Sequence, residues 1–250
     1  MDKEETISSA ESEVRRKISE IVYPKVDWPA LETHIPPRVL FISGFKRTGK
    51  DCFARHLVAG KFQYRWELFS PEDGHTEFPF HDFLHAPIVA FSDALRLMVY
   101  TCLGLKNDYD YETNKENHIV PGGTYTLRSA MIDVGSGGRK SDVALWAKLA
   151  FVQFFVENSA TKNDAAPKYV VCSDHRFQGE YTMSRYAGIE AVSARLFRSQ
   201  VQVPNKSIES ERDLDRFTTG FLFLGSIDDY ESACALWPQY RCFKHVGTIE

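Results

Sequence analysis

The residues best suited to chemistry lie between Ser43 and Cys52, a stretch that reads Ser-Gly-Phe-Lys-Arg-Thr-Gly-Lys-Asp-Cys. Gly44, Gly49 and Lys50 give it the spacing Gly-x4-Gly-Lys. A phosphate cradle needs that spacing. The first glycine lets the chain leave a strand tightly, and the second lets the backbone approach an anion. Successive N–H groups and a helix N-terminus then point at the phosphates, and the lysine reaches the β and γ oxygens. Gly44, Lys46, Arg47, Thr48, Gly49, Lys50, Asp51 and Cys52 are therefore the expected contacts to the phosphates of a nucleoside triphosphate. Arg47, inside the loop, reads either as a contact to the group being transferred or as an ordinary solvated or salt-bridged surface residue. The position after the lysine holds Asp51, where such loops usually carry a serine or threonine that ligates Mg²⁺. A carboxylate there either contacts the metal, directly or through water, or stands as a favourable charge at the helix N-terminus.

A second group of candidates lies downstream. Asp174 ends the apolar run Lys168–Ser173, and open α/β sheets collect ligands at the carboxyl ends of their strands. It reads as a holder of Mg²⁺ or its water, as a partner that orients Arg176, or as a cap for the next helix. Phosphoryl transfer needs alignment and positive charge more than covalent help from the protein. Arginine binds phosphate with a bidentate fork, so Arg96, Arg128 and Arg176 are candidates for an acceptor phosphate, weighed against ordinary surface roles. Trp146 reads chiefly as a core residue, with stacking against a base as the lesser alternative. The histidines form no catalytic pair, and an anionic acceptor needs no general base.

These residues must be positioned by strands and helices. Short apolar runs predict strands at 38–43, 87–91, 168–173, 191–197 and 220–224. Helical spacing follows Gly49 and recurs over 92–103, 125–134, 142–157, 178–187 and 228–237, with Ser92 as an N-cap and Gly188 as a stop. Strands alternating with helices predict an α/β domain with a parallel sheet covered on both faces. Residues 1–37 read as an N-terminal extension and 38–250 as the domain. Within the domain, 60–85 reads as an insertion and about 105–160 as a helical, substrate-binding region.

Bulk composition narrows the class further. A net charge of −4 gives no global field for duplex nucleic acid. The five cysteines have no CxxC pair and read as reduced thiols, and no Cys/His cluster has zinc spacing. No apolar run reaches the roughly 18 to 20 residues that span a bilayer. The charged start, Met-Asp-Lys-Glu-Glu, reads as neither a signal nor a transit peptide. The expected setting is the cytoplasm or another reduced compartment.

The loop Phe41–Asp51 resembles the Gly-x-Lys-Arg-Ser-Gly-Lys-Asp loop of bacteriophage deoxynucleoside monophosphate kinases. It is also similar to that of animal-type phosphomevalonate kinases. Further blocks agree in order. Phe91-Ser-Asp-Ala-Leu-Arg96 is similar to a Phe-Ala-Asp-Pro-Leu-Lys segment, and Asn107–Asn114 resembles a segment of the phage enzymes. Arg128, Gly135, Asp142 and Trp146 follow a helix pair of the family, although Ile132 stands where the family has a glutamine. Ser173–Glu180 is similar to (Ser/Pro)-Asp-x-Arg-x-x-x-Glu, Arg195–Arg198 to an Arg-Val-x-Arg strand, and Glu209–Asp215 to a Ser-Glu…Leu-Asp segment. The resemblance covers about residues 38–235. It implies a P-loop NTPase fold of the nucleoside-monophosphate-kinase group: a three-layer sandwich with a five-stranded parallel sheet. It also implies a transferase that moves the γ-phosphoryl of ATP, with Mg²⁺, to a deoxynucleoside 5′-monophosphate in deoxynucleotide metabolism. Asp93, Arg96, Arg128, Trp146, Arg176 and Glu180 would form the substrate pocket. Lys50, Arg47, Asp174 and Arg176 would be catalytic, and Asp51 and Asp174 would hold the metal. A homodimer is implied as well.

Overall fold

The computed structural model describes residues 38–72, 77–106, 109–119, 124–159, 168–186, 189–200 and 213–250. The expected extension at 1–37, the Gly188 stop and the start of the 209–215 segment lie outside these residues. The strands are β1 (Arg38–Gly44), β2 (Trp66–Pro71), β3 (Ile88–Val89), β4 (Tyr169–Cys172), β5 (Glu190–Phe197), β6 (Phe221–Leu224) and β7 (Phe243–Ile249). The helices are α1 (Lys50–Ala59), α2 (Phe91–Leu103), α3 (Tyr111–Asn114), α4 (Leu127–Ser141), α5 (Leu145–Ser159), α6 (Gln178–Tyr186) and α7 (Asp229–Leu236).

All seven strands join one sheet in the order β3-β4-β1-β5-β6-β2-β7. The five apolar runs expected as strands are β1, β3, β4, β5 and β6, and they pair in parallel. The expectation of a five-stranded, wholly parallel sheet is corrected by two further strands. β2 runs antiparallel to β6, and β7 runs antiparallel to β2. β2 lies inside the segment 60–85, so that insertion extends the sheet. It carries Glu67, a buried carboxylate that takes hydrogen bonds from Arg65 (2.7 Å) and Thr248 (2.8 Å) and contacts His245 Nε2 at 2.8 Å. Burial opposes the charge on Glu67, but these bonds outweigh it and hold the carboxyl below its usual range. β7 is thereby tied to β2 through side chains as well as backbone.

Alternation along the strands builds the layers. Leu40, Ile42, Phe221 and Phe223 face one side, where Phe53 and Leu57 of α1 and Phe78 and Phe83 cover them. Val39 and Phe41 face the other side and pack against α2 and α5. On that same side Leu222 and Leu224 meet Ala233, Trp237 and Tyr240. Helices therefore cover both faces, as an α/β domain requires. A smaller cluster of Val99, Tyr100, Leu127 and Met131 joins α2 to α4 and takes in Tyr109 and Tyr111. All five cysteines are free thiols. Among the described residues, no helix is long and apolar enough to cross a membrane.

Candidate functional site

The loop after β1 has a backbone that ordinary side chains resist. Gly44 has φ 148° and Gly49 φ 90°, and between them Arg47 holds φ 69°. A Cβ on Gly44 would stand 2.7 Å from the Leu196 carbonyl oxygen and 2.8 Å from Thr48 Oγ1. Only glycine fits there. At Gly49 the space a side chain would fill is open. Gly49 is also the N-cap of α1, and no side chain caps that end. The first N–H groups of a helix have no partner within the helix, so the positive end of α1 faces the open space beside Gly49.

Side chains divide between shaping the loop and lining it. Thr48 is buried, and its hydroxyl donates to the Phe45 carbonyl (2.8 Å). Its side chain, like its backbone N–H, therefore holds the turn. Lys50 Nζ donates to the carbonyls of Gly44 (2.7 Å) and Phe45 (3.0 Å), which keeps the ammonium over the loop. Lys46, Arg47 and Asp51 are exposed at the loop and in the first turn of α1. Cys52 is half-buried, with its Sγ 3.8 Å from His56 Nδ1.

Asp174 follows β4, which neighbours β1 in the sheet. Its Oδ1 accepts from the Phe91 N–H (2.7 Å) and its Oδ2 from the Ser92 N–H (2.9 Å). The buried carboxylate thus caps α2 from across the sheet. This corrects two expectations: the capped helix is not the one that follows Asp174, and Ser92 is not a cap, since Ala90 holds that position. α2 in turn carries Asp93 and Arg96 at this edge. The Asp93 carboxyl is pushed above its usual range by desolvation, against the pull of Arg96, and the charges of Asp174 and Asp51 push it the same way. Asp51 and Asp174 therefore lie near enough to Asp93 to oppose its charge.

Arg96 Nη1 donates to Asp93 Oδ1 (3.1 Å), and its Cζ lies 5.4 Å from the centre of the Tyr111 ring. Its Nε is buried without a hydrogen-bond partner. Arg128, at the start of α4, pairs with Glu116 (2.9 Å). Both arginines help to hold the Glu112 carboxyl below its usual range, after the larger effect of its hydrogen bond from Lys115. The fold therefore groups Arg96 with Arg128 and Tyr111 on the helices, and Lys50 with Asp51 on the loop, with Asp93 between the two groups.

Two residues expected in the pocket do other work. Trp146 is buried, its indole N–H donates to the Gly135 carbonyl (2.9 Å), and its ring fills the space beside Gly138. It is a core residue. The Glu180 carboxylate is also buried and accepts from the N–H groups of Arg176 (2.9 Å) and Phe177 (3.0 Å). It holds the turn that presents Arg176 to solvent. Burial pushes the Glu180 carboxyl up to about 8 against those two bonds, and the Asp174 charge adds to the rise. Beside it His175 is buried against Phe41, Tyr181 and Phe217, and burial pushes its imidazole down to about 3. His175 is thus neutral and fills space rather than carrying charge.

One cluster at this edge escaped the sequence reading. Arg198 follows β5, and its Cζ lies 4.3 Å from the Trp66 ring centre and 5.2 Å from that of Tyr64. The sequence marked Arg198 by its place at a strand end and in the Arg195–Arg198 block, but not its aromatic neighbours, which belong to a segment without clear periodicity. At the opposite, amino-terminal end of the sheet a cavity of about 490 Å³ is lined by Arg38, Tyr181, Glu190, Ser193 and Thr219 among others. None of the expected site residues lines it. Among the described residues no three carboxylate, imidazole or thiol groups converge to hold a metal ion unaided. No protein-family model matches this chain, and no curated protein matches it.

Proposed function

We propose that the chain is a P-loop phosphotransferase of the nucleoside-monophosphate-kinase type, moving the γ-phosphoryl of ATP to a deoxynucleoside 5′-monophosphate. The observation that carries this reading is the loop itself. Gly44 and Gly49 are conformationally required, the N-terminus of α1 is open and uncapped, and Lys50 bends over the mouth. The loop lies at the carboxyl ends of β1 and β4, where parallel α/β sheets take their ligands.

In this reading the α1 N-terminus and Lys50 hold the donor phosphates, and exposed Arg47 and Arg176 neutralise charge on the transferring group. Arg96, with its unpartnered Nε, and Arg128 receive the acceptor phosphate. Asp174 acts as a positioning residue through its two bonds to α2. Asp51 and Asp174 offer hard oxygen ligands that suit Mg²⁺, which commonly takes one or two carboxylates together with substrate phosphates. Asp51 and Asp174 would hold the ion, and its positive charge would offset that of the phosphates. Tyr111, stacked near Arg96, supplies a flat surface beside the acceptor site that favours a nucleotide base.

The test is coupled measurement of ADP release with a panel of deoxynucleoside monophosphates and with phosphomevalonate. Stimulation by a nucleotide acceptor supports the reading. Stimulation by phosphomevalonate alone replaces the acceptor. Failure of every acceptor removes the kinase assignment in favour of a nucleotide-binding protein without catalysis.

A further inference from the structure

We propose that the cavity at the amino-terminal end of the sheet takes a short, extended, lysine- or arginine-bearing peptide as an added strand beside β5, a site independent of the phosphate-loop reading. The cavity is a notch in the sheet. β5 pairs with β1 from Glu190 onward, but its pairing with β6 begins only at Ala194. Among the described residues, Glu190–Ser193 therefore have a strand on one side alone, and all of them line the cavity. Strands inside a parallel sheet are normally buried along their length. β5 instead starts exposed at Glu190 and half-buried at Ala191 and Val192. The chain just before β6 turns to side-chain partners. The Gly220 N–H donates to Ser193 Oγ (2.9 Å), and the Thr219 hydroxyl donates to the Phe221 carbonyl (2.7 Å).

Two properties of the notch define its occupant. The first is backbone. A strand with one open side is a template for another chain. The open stretch Glu190–Ser193 spans about 13 Å at ~3.3 Å per residue, and a volume of about 490 Å³ admits a short segment beside it. The Ala191 carbonyl takes a long bond, 3.4 Å, from the Tyr181 hydroxyl, and a peptide N–H would serve it better. The second property is charge. Arg38, on the same wall, gives one Nη to Asp82 (2.6 Å) and the other to Glu190. Those two carboxylates already outweigh its charge. Glu77 adds a third at the lining, exposed and, among the described residues, without an ion pair. The mouth therefore attracts a cationic side chain, while the open backbone selects a peptide over a free amine.

The experiment measures binding of two capped tetrapeptides, Lys-Val-Lys-Val and Glu-Val-Glu-Val, to the full chain by calorimetry, with amide hydrogen exchange to locate them. Saturable binding of the lysine peptide alone is expected, with slowed exchange within Glu190–Ser193. The same peptide methylated on every backbone nitrogen cannot donate to a strand and should not bind. Glu77 is exposed and outside the strands and helices, so Glu77→Lys leaves the fold intact. It should weaken the lysine peptide about fivefold. No binding of the lysine peptide overturns the site. Equal binding of the glutamate or the methylated peptide, unchanged exchange within Glu190–Ser193, or parental affinity in Glu77→Lys overturns it as well.

Discussion

Glu180 and His175 flank the turn that carries Arg176, and their burial gives the molecule a pH signature. The Glu180 carboxyl rises from 4.5 in the unfolded chain to about 8 in the folded one. A raised folded value means that stability is fully present below pH 4.5 and is lost as pH rises to about 8. The His175 imidazole falls from 6.5 to about 3, so its contribution is present above pH 6.5 and is lost as pH falls toward 3. The two slopes oppose each other between 4.5 and 6.5, which leaves Glu180 alone to act between 6.5 and 8. Glu180→Gln keeps an oxygen that can accept from the Arg176 and Phe177 N–H groups and removes the titration. Its thermal unfolding midpoint should therefore fall less than that of the parent chain between pH 6.5 and 8. Parallel curves would show that Glu180 is not the group responsible.

At the scale of elements, the site depends on how α2 is aimed. Asp174 fixes its first turn through Phe91 and Ser92, and that turn carries Asp93 and Arg96. Removing the carboxylate leaves a buried N–H unsatisfied, so Asp174→Ala should cost about 1–3 kcal/mol in urea denaturation of the ligand-free chain. A role confined to ligand binding would leave the midpoint where it is. The elements themselves were largely legible. Of the five parallel strands, β1, β4 and β6 are buried along most of their length on both faces and read as continuous apolar runs. β2 and β7 were not legible for opposite reasons. β2 buries Glu67 among apolar residues, which breaks its pattern, and β7 is an edge strand where only Phe243 is fully buried. In the site, Gly44, Gly49 and Lys50 were legible because their spacing is local. Trp146 was legible as a core residue, but the work of Glu180 was not, because it depends on backbone N–H groups whose bonds only the folded chain reveals. The Asp174 bonds to α2 span more than eighty residues of sequence, so no local pattern could disclose them.

For the molecule as a whole, the sheet collects the candidate groups at its carboxyl edge, and its far side is completed by β2 and β7. Glu67 fastens that side, and Glu67→Ala should speed amide hydrogen exchange in β7 while β1 stays protected. Unchanged exchange in β7 would mean that backbone pairing alone holds the strand. The central claim concerns the opposite flank of the same design, where Lys50 closes over the loop between β1 and α1. Lys50 is only half-buried and its bonds are to loop carbonyls, so Lys50→Ala should fold like the parent chain. The most direct test is the rate of acceptor-stimulated ADP release from ATP by folded Lys50→Ala. A loss of several orders of magnitude is expected; a rate near that of the parent chain would contradict the account.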